Sequence, residues 1–515
     1  MGRVKLATKN IAFGYVGQMA TALMSFILRH IFILKLTDTL LGVNSLYSNI
    51  LSLLSMAELG IGTALNFSLY KPVADKNTEK IKSYMQMYRK AYHTIAVVVA
   101  IIGVALTPFL RVLAKNADNI QTKDLTFYYL IFLFNTVSTY FVAYKYSLVN
   151  AEQKNYIQTN INTITKVITV FFQIIILLVI PNFYIYLLTD ACVQLIQKIF
   201  VSKYLDDLYP YLRDKDIKPL STAEHDEVWR KTKALVLHKV GDVARLQTDT
   251  LIISSFIDVK EAGHVDNYIM ITGTIANFVN IIFNSVISSF GNLIATESKE
   301  KQYQLFKVYR FFASWVYGFS AAGFFILVQP LIYLWLVTRF GPEWMLPALA
   351  VYLFITDYYF KGDRIVLSNF KTAAGVFEED KYLALIQGAV NLVISIALVQ
   401  KIGLAGIYVG TVVSGLIANV TKPIIIYKVC FGKSSISYFA DSLKYILTES
   451  AVIGLCFLIS TVVLKEITII SFIIMFVIVC VLFNGIFFII FRNTDEFNYL
   501  YGIIKGKIKS IGAKA

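Results

Sequence analysis

Residues 41–81 read LGVNSLYSNILSLLSMAELGIGTALNFSLYKPVADKNTEKI. Between Leu41 and Leu69 there is no basic residue and a single acid, Glu58; Lys71, Lys76 and Lys80 then follow in quick succession. A helix needs about 20 mostly apolar residues to cross a bilayer. A basic loop directly after such a run marks the cytoplasmic side. This unit of apolar span plus basic turn predicts a polytopic membrane protein, and it recurs along the chain.

Working outward, the same criterion predicts spans over 11–34, 41–69, 91–113, 125–148, 159–180, 183–204, 233–257 and 265–294. A further six fall at 303–328, 346–370, 379–400, 402–427, 442–464 and 467–491. Composition agrees: 57% of the 515 residues are hydrophobic and 16% charged, against about 25% charged in soluble domains. The weakest boundaries are Gln329–Pro342, where Pro330, Gly341 and Pro342 interrupt the pattern, and the polar segment 233–257. No Gly/Ser- or Pro-rich linker sets off a separate catalytic domain. Cys192, Cys430, Cys456 and Cys480 lack CxxC spacing and lie in apolar runs, as packing or lipid-facing residues do.

Of the 48 basic residues, 36 lie in the N-terminus and alternate loops: 70–90, 144–156, 198–233, 299–310, 361–381, 422–444 and the tail 492–515. The positive-inside rule then puts both termini in the cytoplasm. One span missed or invented would reverse the alternation downstream of it. The net charge of +15 is thereby assigned to loops beside anionic headgroups, with no nucleic-acid partner. The tail 499–514 carries isoleucines among lysines, the pattern of a surface-lying amphipathic helix.

An offset of 221 residues aligns 42–89 with 263–310 without gaps. Ten identities result, among them Gly42/Gly263, Tyr47/Tyr268, Glu79/Glu300 and Arg89/Arg310. An offset of six spans preserves orientation, so the expected fold is all-α, about 14 transmembrane helices in two six-helix pseudo-symmetric halves plus two C-terminal helices. The corresponding regions are 1–204, a connecting loop 205–232, 233–430, the added helices 431–491 and a basic tail 492–515. Parallel halves around a central site are a transporter arrangement.

Charges within a bilayer cost roughly 2.5–3.5 kcal/mol on insertion scales and mark cavities or paired sites. The densest group is LVLHKVGDVARLQTDTLII, 235–253, in which His238, Asp242, Arg245 and Asp249 share one helical stripe. Two readings stay open: acid–base pairs that lock the helix, or a stripe lining a solvated cavity. Arg29 and His30 lie near the outer end of the first span, where Arg29 also has a snorkelling reading. Glu58 precedes Gly60 and Gly62 at mid-span, Lys166 lies in the fifth span and Asp190 in the sixth. Asp357, Asp363 and Arg364 read as boundary residues of the tenth. No Walker motif, HExxH or dinucleotide fingerprint is present. No enzyme activity, cofactor or metal site is expected, and transport draws on an ion or substrate gradient.

The six-plus-six repeat, the two added helices, the opening stretch 41–81 and TDTLIISSFI leading into VDNYIMITG resemble Wzx-type polysaccharide flippases. These belong to the multidrug/oligosaccharidyl-lipid/polysaccharide exporter superfamily. The resemblance implies a V-shaped bundle in the bacterial cytoplasmic membrane, carrying undecaprenyl-pyrophosphate-linked oligosaccharide from the inner to the outer leaflet. It also implies a polysaccharide polymerase and glycosyltransferases as functional partners. On that reading Arg29, Lys166, Lys239 and Arg245 hold the anionic headgroup, while Glu58, His238, Asp242 and Asp249 serve ion coupling or gating. Asp242 and Asp249 beside Arg245 depart from a purely cationic site. A lipid II flippase and a cation-coupled multidrug exporter of the same superfamily are the alternatives. A membrane glycosyltransferase or polymerase is disfavoured by the short outer loops.

Overall fold

The computed structural model describes residues 3–55, 68–214, 216–222, 224–226, 228–229, 247–285, 287–376, 379–380 and 382–512. All regular structure among these residues is helical. With no water in the bilayer core, a helix satisfies its own backbone groups, which is why the apolar runs fold this way. Ten helices among the described residues are long and apolar enough to cross a membrane. The chain is an all-α polytopic membrane protein.

Helices α1 (Arg3–Lys35), α2 (Asp38–Leu54), α3 (Thr78–Ala105), α4 (Thr122–Ala151), α5 (Tyr156–Val179) and α6 (Phe183–Leu208) come first. After a π turn at Ile253–Ile257 follow α7 (Val259–Ser285), α8 (Ile287–Thr296), α9 (Lys299–Ile332), α10 (Ala348–Asp363) and α11 (Ile365–Ala374). Then come α12 (Leu383–Ile402), α13 (Leu404–Ile426), α14 (Ile436–Val463), α15 (Ile469–Phe491) and α16 (Asp495–Gly512). The second and seventh expected spans fall partly outside the described residues. The eighth corresponds to α7 with α8, and the tenth to α10 with α11.

Several helices run past their apolar cores. α3 begins at Thr78, well before the expected start at 91, and α6 continues to Leu208. Lys145 and Lys198, where an expected span and an expected basic loop overlap, lie inside α4 and α6 and are buried. Pro330 does not end α9. A π turn, Tyr333–Val337, follows it, and the helical course ends only at Gly341, where φ is +113°.

The repeat is visible in local detail. Helices α3 and α9 begin 221 residues apart, at Thr78 and Lys299. Their caps are repeat mates: Asn77 Oδ1 accepts from Lys80 N at 3.0 Å, and Ser298 Oγ from Lys301 N at 3.4 Å. Each satisfies an otherwise orphaned N–H, and Glu79 and Glu300 complement the helix dipole. Buried Tyr47 donates to Leu125 O at 3.0 Å, and buried Tyr268 accepts from Leu346 N at 3.1 Å. Leu125 and Leu346 are again 221 apart.

By packing, the chain divides into two compact units, residues 1–266 with 381–392, and residues 267–380 with 393–515. In the second, Met475, Val479, Phe483, Phe487 and Phe491 form the buried stripe of α15, one residue every four. They pack with Phe311 of α9, Val452 and Cys456 of α14 and Phe497 of α16. Lipid is as apolar as these side chains, so close van der Waals fit holds such helices together. The opposite face, including Ile470, Ile474, Val477 and Val481, is exposed as lipid requires. Helix α16 extends the expected amphipathic tail back to Asp495, and Glu496 pairs with Lys307 at 3.1 Å.

Candidate functional site

The first unit contains a charged network within its spans. Arg29 of α1 donates to Asp266 Oδ2 of α7 at 2.5 Å. Arg29 lies about 9 Å along the axis from the end of α1, and Asp266 and Asp190 about 10 Å from the starts of α7 and α6, at 1.5 Å per residue. Their depths match. Helices α1 and α5 pack tightly because Gly17 has no side chain: a Cβ there would stand 2.6 Å from Thr163 Oγ1. One turn past Thr163, Lys166 faces the same charges, with Asp190 and Arg29 as its electrostatic neighbours. Phe32 closes against Phe183 and Tyr186 with ring centroids 5.9 and 5.2 Å away, leaving an aromatic wall beside Arg29.

The three cations differ in what holds them. Lys198 donates to Asn135 O at 2.7 Å, Asn135 Oδ1 at 2.8 Å and Ser138 Oγ at 2.8 Å. Its three donors are thus fully used. Asn135 in turn donates to Asp190 Oδ2 at 2.9 Å, so Lys198 braces the acid through the amide. Arg29 is ion-paired. Lys166 makes no hydrogen bond or ion pair among the described residues, although it sits mid-helix in α5. An ammonium so placed can receive an anion without first breaking a contact.

Of the residues the sequence nominates, Arg29 and Lys166 are brought together here. Asp249 is elsewhere in the same unit, with Asn391 Nδ2 of α12 at 3.5 Å. Glu58, His238, Lys239, Asp242 and Arg245 lie outside the described residues. Asp266, Lys198 and Asn135 were not singled out. Asp266 stands in the quoted segment VDNYIMITG, where its charge against an apolar continuation was the available signal. Asn135 gives none, since an amide becomes informative only through its neighbours.

The second unit holds its own buried charges. Arg310 is 2% exposed, and its guanidinium stands 3.4 Å over the Tyr438 ring. It donates to Tyr438 O at 2.8 Å and Ser442 Oγ at 2.5 Å, with Asp441 and Asp363 at 3.7 and 3.9 Å. Asp363 also accepts from Tyr438 Oη at 2.9 Å, and Asp357 pairs with Lys361 at 2.5 Å. Arg364 donates to Asn419 and to Gly415 O. Asp363 and Arg364 stand at the end of α10, as expected of boundary residues, and with Asp357 they are buried. Glu449 of α14 accepts from Ser314 Oγ at 3.0 Å, where Gly318 makes room for the carboxylate.

No family model matches the chain, and no curated protein matches it. Solved structures do. The inward closed conformation of the lipid II flippase MurJ superposes with a TM-score of 0.65 at 13% identity, covering 92% of this chain and 99% of that one. A Vibrio cholerae MATE transporter gives 0.58 at 15% identity, covering 84% and 99%. A eukaryotic MATE transporter gives 0.58 at 12%, covering 83% and 97%. The fold of this chain is the one shared by the lipid II flippase and the MATE transporters of the MOP superfamily.

Proposed function

We propose that the protein is a flippase that carries a lipid-linked, pyrophosphate-bearing oligosaccharide across the bacterial cytoplasmic membrane by alternating access. The observation that carries this reading is Lys166: a mid-helix ammonium that makes no ion pair among the described residues, beside Arg29 and Asp190. A pyrophosphate headgroup supplies the missing anion, and Asn, Gln, Ser, Thr and Tyr side chains on the surrounding spans suit its sugars. On this account the halves 1–204 and 233–430 rock about the central site with both termini cytoplasmic. Residues 205–232 connect them, and 431–491 add two helices. Lys239 and Arg245 contribute further positive charge, while Glu58, His238, Asp242 and Asp249 serve coupling or gating. Arg29–Asp266 acts as a latch that substrate phosphate opens by competing for Arg29.

Coverage of 92% of the chain by a lipid II flippase, against 84% by a MATE transporter, also supports a lipid-linked substrate over a drug. Lipid II has the same headgroup chemistry and is the second reading. Deleting the gene separates these. Accumulated inner-leaflet oligosaccharide-lipid with normal peptidoglycan supports the first, arrested peptidoglycan supports the second, and drug hypersensitivity alone contradicts both.

A further inference from the structure

A cavity of about 730 Å³ opens among α3, α4, α6 and residues 211–214 and 217 of the first unit, apart from the charged network described above. Its size is that of a headgroup or small-ligand site. Four cations line it, Lys82, Arg89, Lys145 and Arg213, with His93, Tyr144 and Tyr211. Lys82 is matched by Asp214 at 3.0 Å and Lys145 by Asp206 at 2.7 Å. Arg89 is exposed to the cavity and makes no hydrogen bond or ion pair among the described residues.

Its repeat mate indicates what this position accepts. Arg310 is covered by the ring and carbonyl of Tyr438, the hydroxyl of Ser442 and the carboxylate of Asp441, all from α14. Near the same offset the first half places Tyr211, Arg213 and Ile217 along the cavity wall, and among the described residues none of them caps the Arg89 guanidinium. We propose that this cavity binds the phosphorylated headgroup of an anionic amphiphile, with Arg89 as the principal phosphate contact. Arginine offers a planar fork that matches phosphate oxygens. Burial pushes the Tyr211 phenol up to about 12, so its hydroxyl remains a donor. Phe141 is 51% exposed and packs at a tilt against His93 with centroids 5.1 Å apart, giving the chain of such a molecule an apolar exit toward lipid. That the headgroup belongs to the inner leaflet rests on the orientation proposed above; the binding itself does not.

Two sources share this chemistry, a resident acidic phospholipid and a polyprenyl pyrophosphate. Full-length protein in detergent is titrated with phosphatidylglycerol, undecaprenyl pyrophosphate or phosphatidylcholine, and bound lipid is counted by native mass spectrometry. Arg89→Gln is expected to weaken at least one anionic lipid by roughly tenfold, Arg89→Lys, which keeps the charge and loses the fork, to weaken it less, and Lys465→Gln to change nothing. Loss for phosphatidylglycerol alone identifies a resident lipid. Loss for the pyrophosphate identifies a docking point for substrate. Arg213→Gln, on the loop wall, reads the same site independently and weakens binding in the same direction. Equal binding of both anionic lipids to wild type and both Gln variants overturns the proposal, as does an equal fall for phosphatidylcholine. Transport is not part of the readout, so failure of the flippase reading leaves this result interpretable.

Discussion

Gly42 and Gly263, repeat mates 221 residues apart, pack against each other. A Cβ on Gly42 would stand 1.9 Å from Val259 O, and one on Gly263 would stand 2.8 Å from Gly42 N. Small residues let such helices approach backbone to backbone. Gly42→Ala is expected to cost about 2 kcal/mol, because the obstacle is a carbonyl that cannot rotate away. Gly263→Ala is expected to cost less. Thermal melting in detergent checks both, and unchanged melting of Gly42→Ala rejects the close crossing.

Tyr47 and Tyr268 do the same work in the two repeats, but with different numbers of partners. Tyr47 has Leu125 O, while Tyr268 has Leu346 N and also donates to Gln329 Oε1 at 2.7 Å. Tyr268→Phe therefore strands the buried Leu346 N–H and the half-buried Gln329 Oε1 and is expected to cost about 2 kcal/mol, against about 1 kcal/mol for Tyr47→Phe. Melting of the two variants in parallel measures the difference. A reversed order would show that the shared contact, rather than the added one, dominates.

Lys166 and Lys198 are both intramembrane lysines near Asp190, yet their substitutions should separate. Lys198→Met removes three hydrogen bonds and leaves Asn135 exposed to an apolar wall, so the melting temperature falls. Lys166→Gln removes no hydrogen bond among the described residues, so melting stays near wild type while export of the lipid-linked sugar is lost. Melting and surface-polymer content, measured on the same variants, give the comparison. A Lys166→Gln strain with normal polymer removes that residue from the transport site.

Outside the spans, Lys80 bridges to Glu224 of the connecting segment. That hydrogen bond, with help from Ser221, holds the Glu224 carboxyl below its ordinary range. A carboxylate depressed in this way contributes to docking above its unfolded value of about 4.3 and loses that contribution as pH falls through the lower folded value. Hydrogen exchange of residues 221–229 should stay constant from about pH 5 to 8, after correction for intrinsic rates, and accelerate only in stronger acid. Both groups are near the surface, so high salt weakens the bridge too. Exchange that rises steadily from neutral pH downward would rule the bridge out as the tether.

The span pattern was legible because a bilayer imposes length and charge rules that act residue by residue. Boundaries were not, since α3 and α6 continue as helices beyond the apolar segment, α3 starting at Thr78 and α6 ending at Leu208. The repeat was faintly legible as ten scattered identities. Its structural content lay partly at non-identical positions, such as the caps Asn77 and Ser298, where different residue types meet the same need for an acceptor. Arg29 and Lys166 announced themselves as charges in apolar runs. Asp266 was assigned no role, because its importance arises from meeting Arg29 across more than two hundred residues of chain.

The central claim is translocation of a pyrophosphate-linked glycolipid. The most direct measurement uses proteoliposomes carrying undecaprenyl-pyrophosphate-linked oligosaccharide, with an impermeant glycan-cleaving enzyme added outside. Wild-type protein is predicted to make the inner-leaflet pool accessible over time, and Lys166→Gln to leave it at the protein-free level. An inner pool equally inaccessible with and without the wild-type protein, in vesicles that do transport a lipophilic cation, would contradict the account.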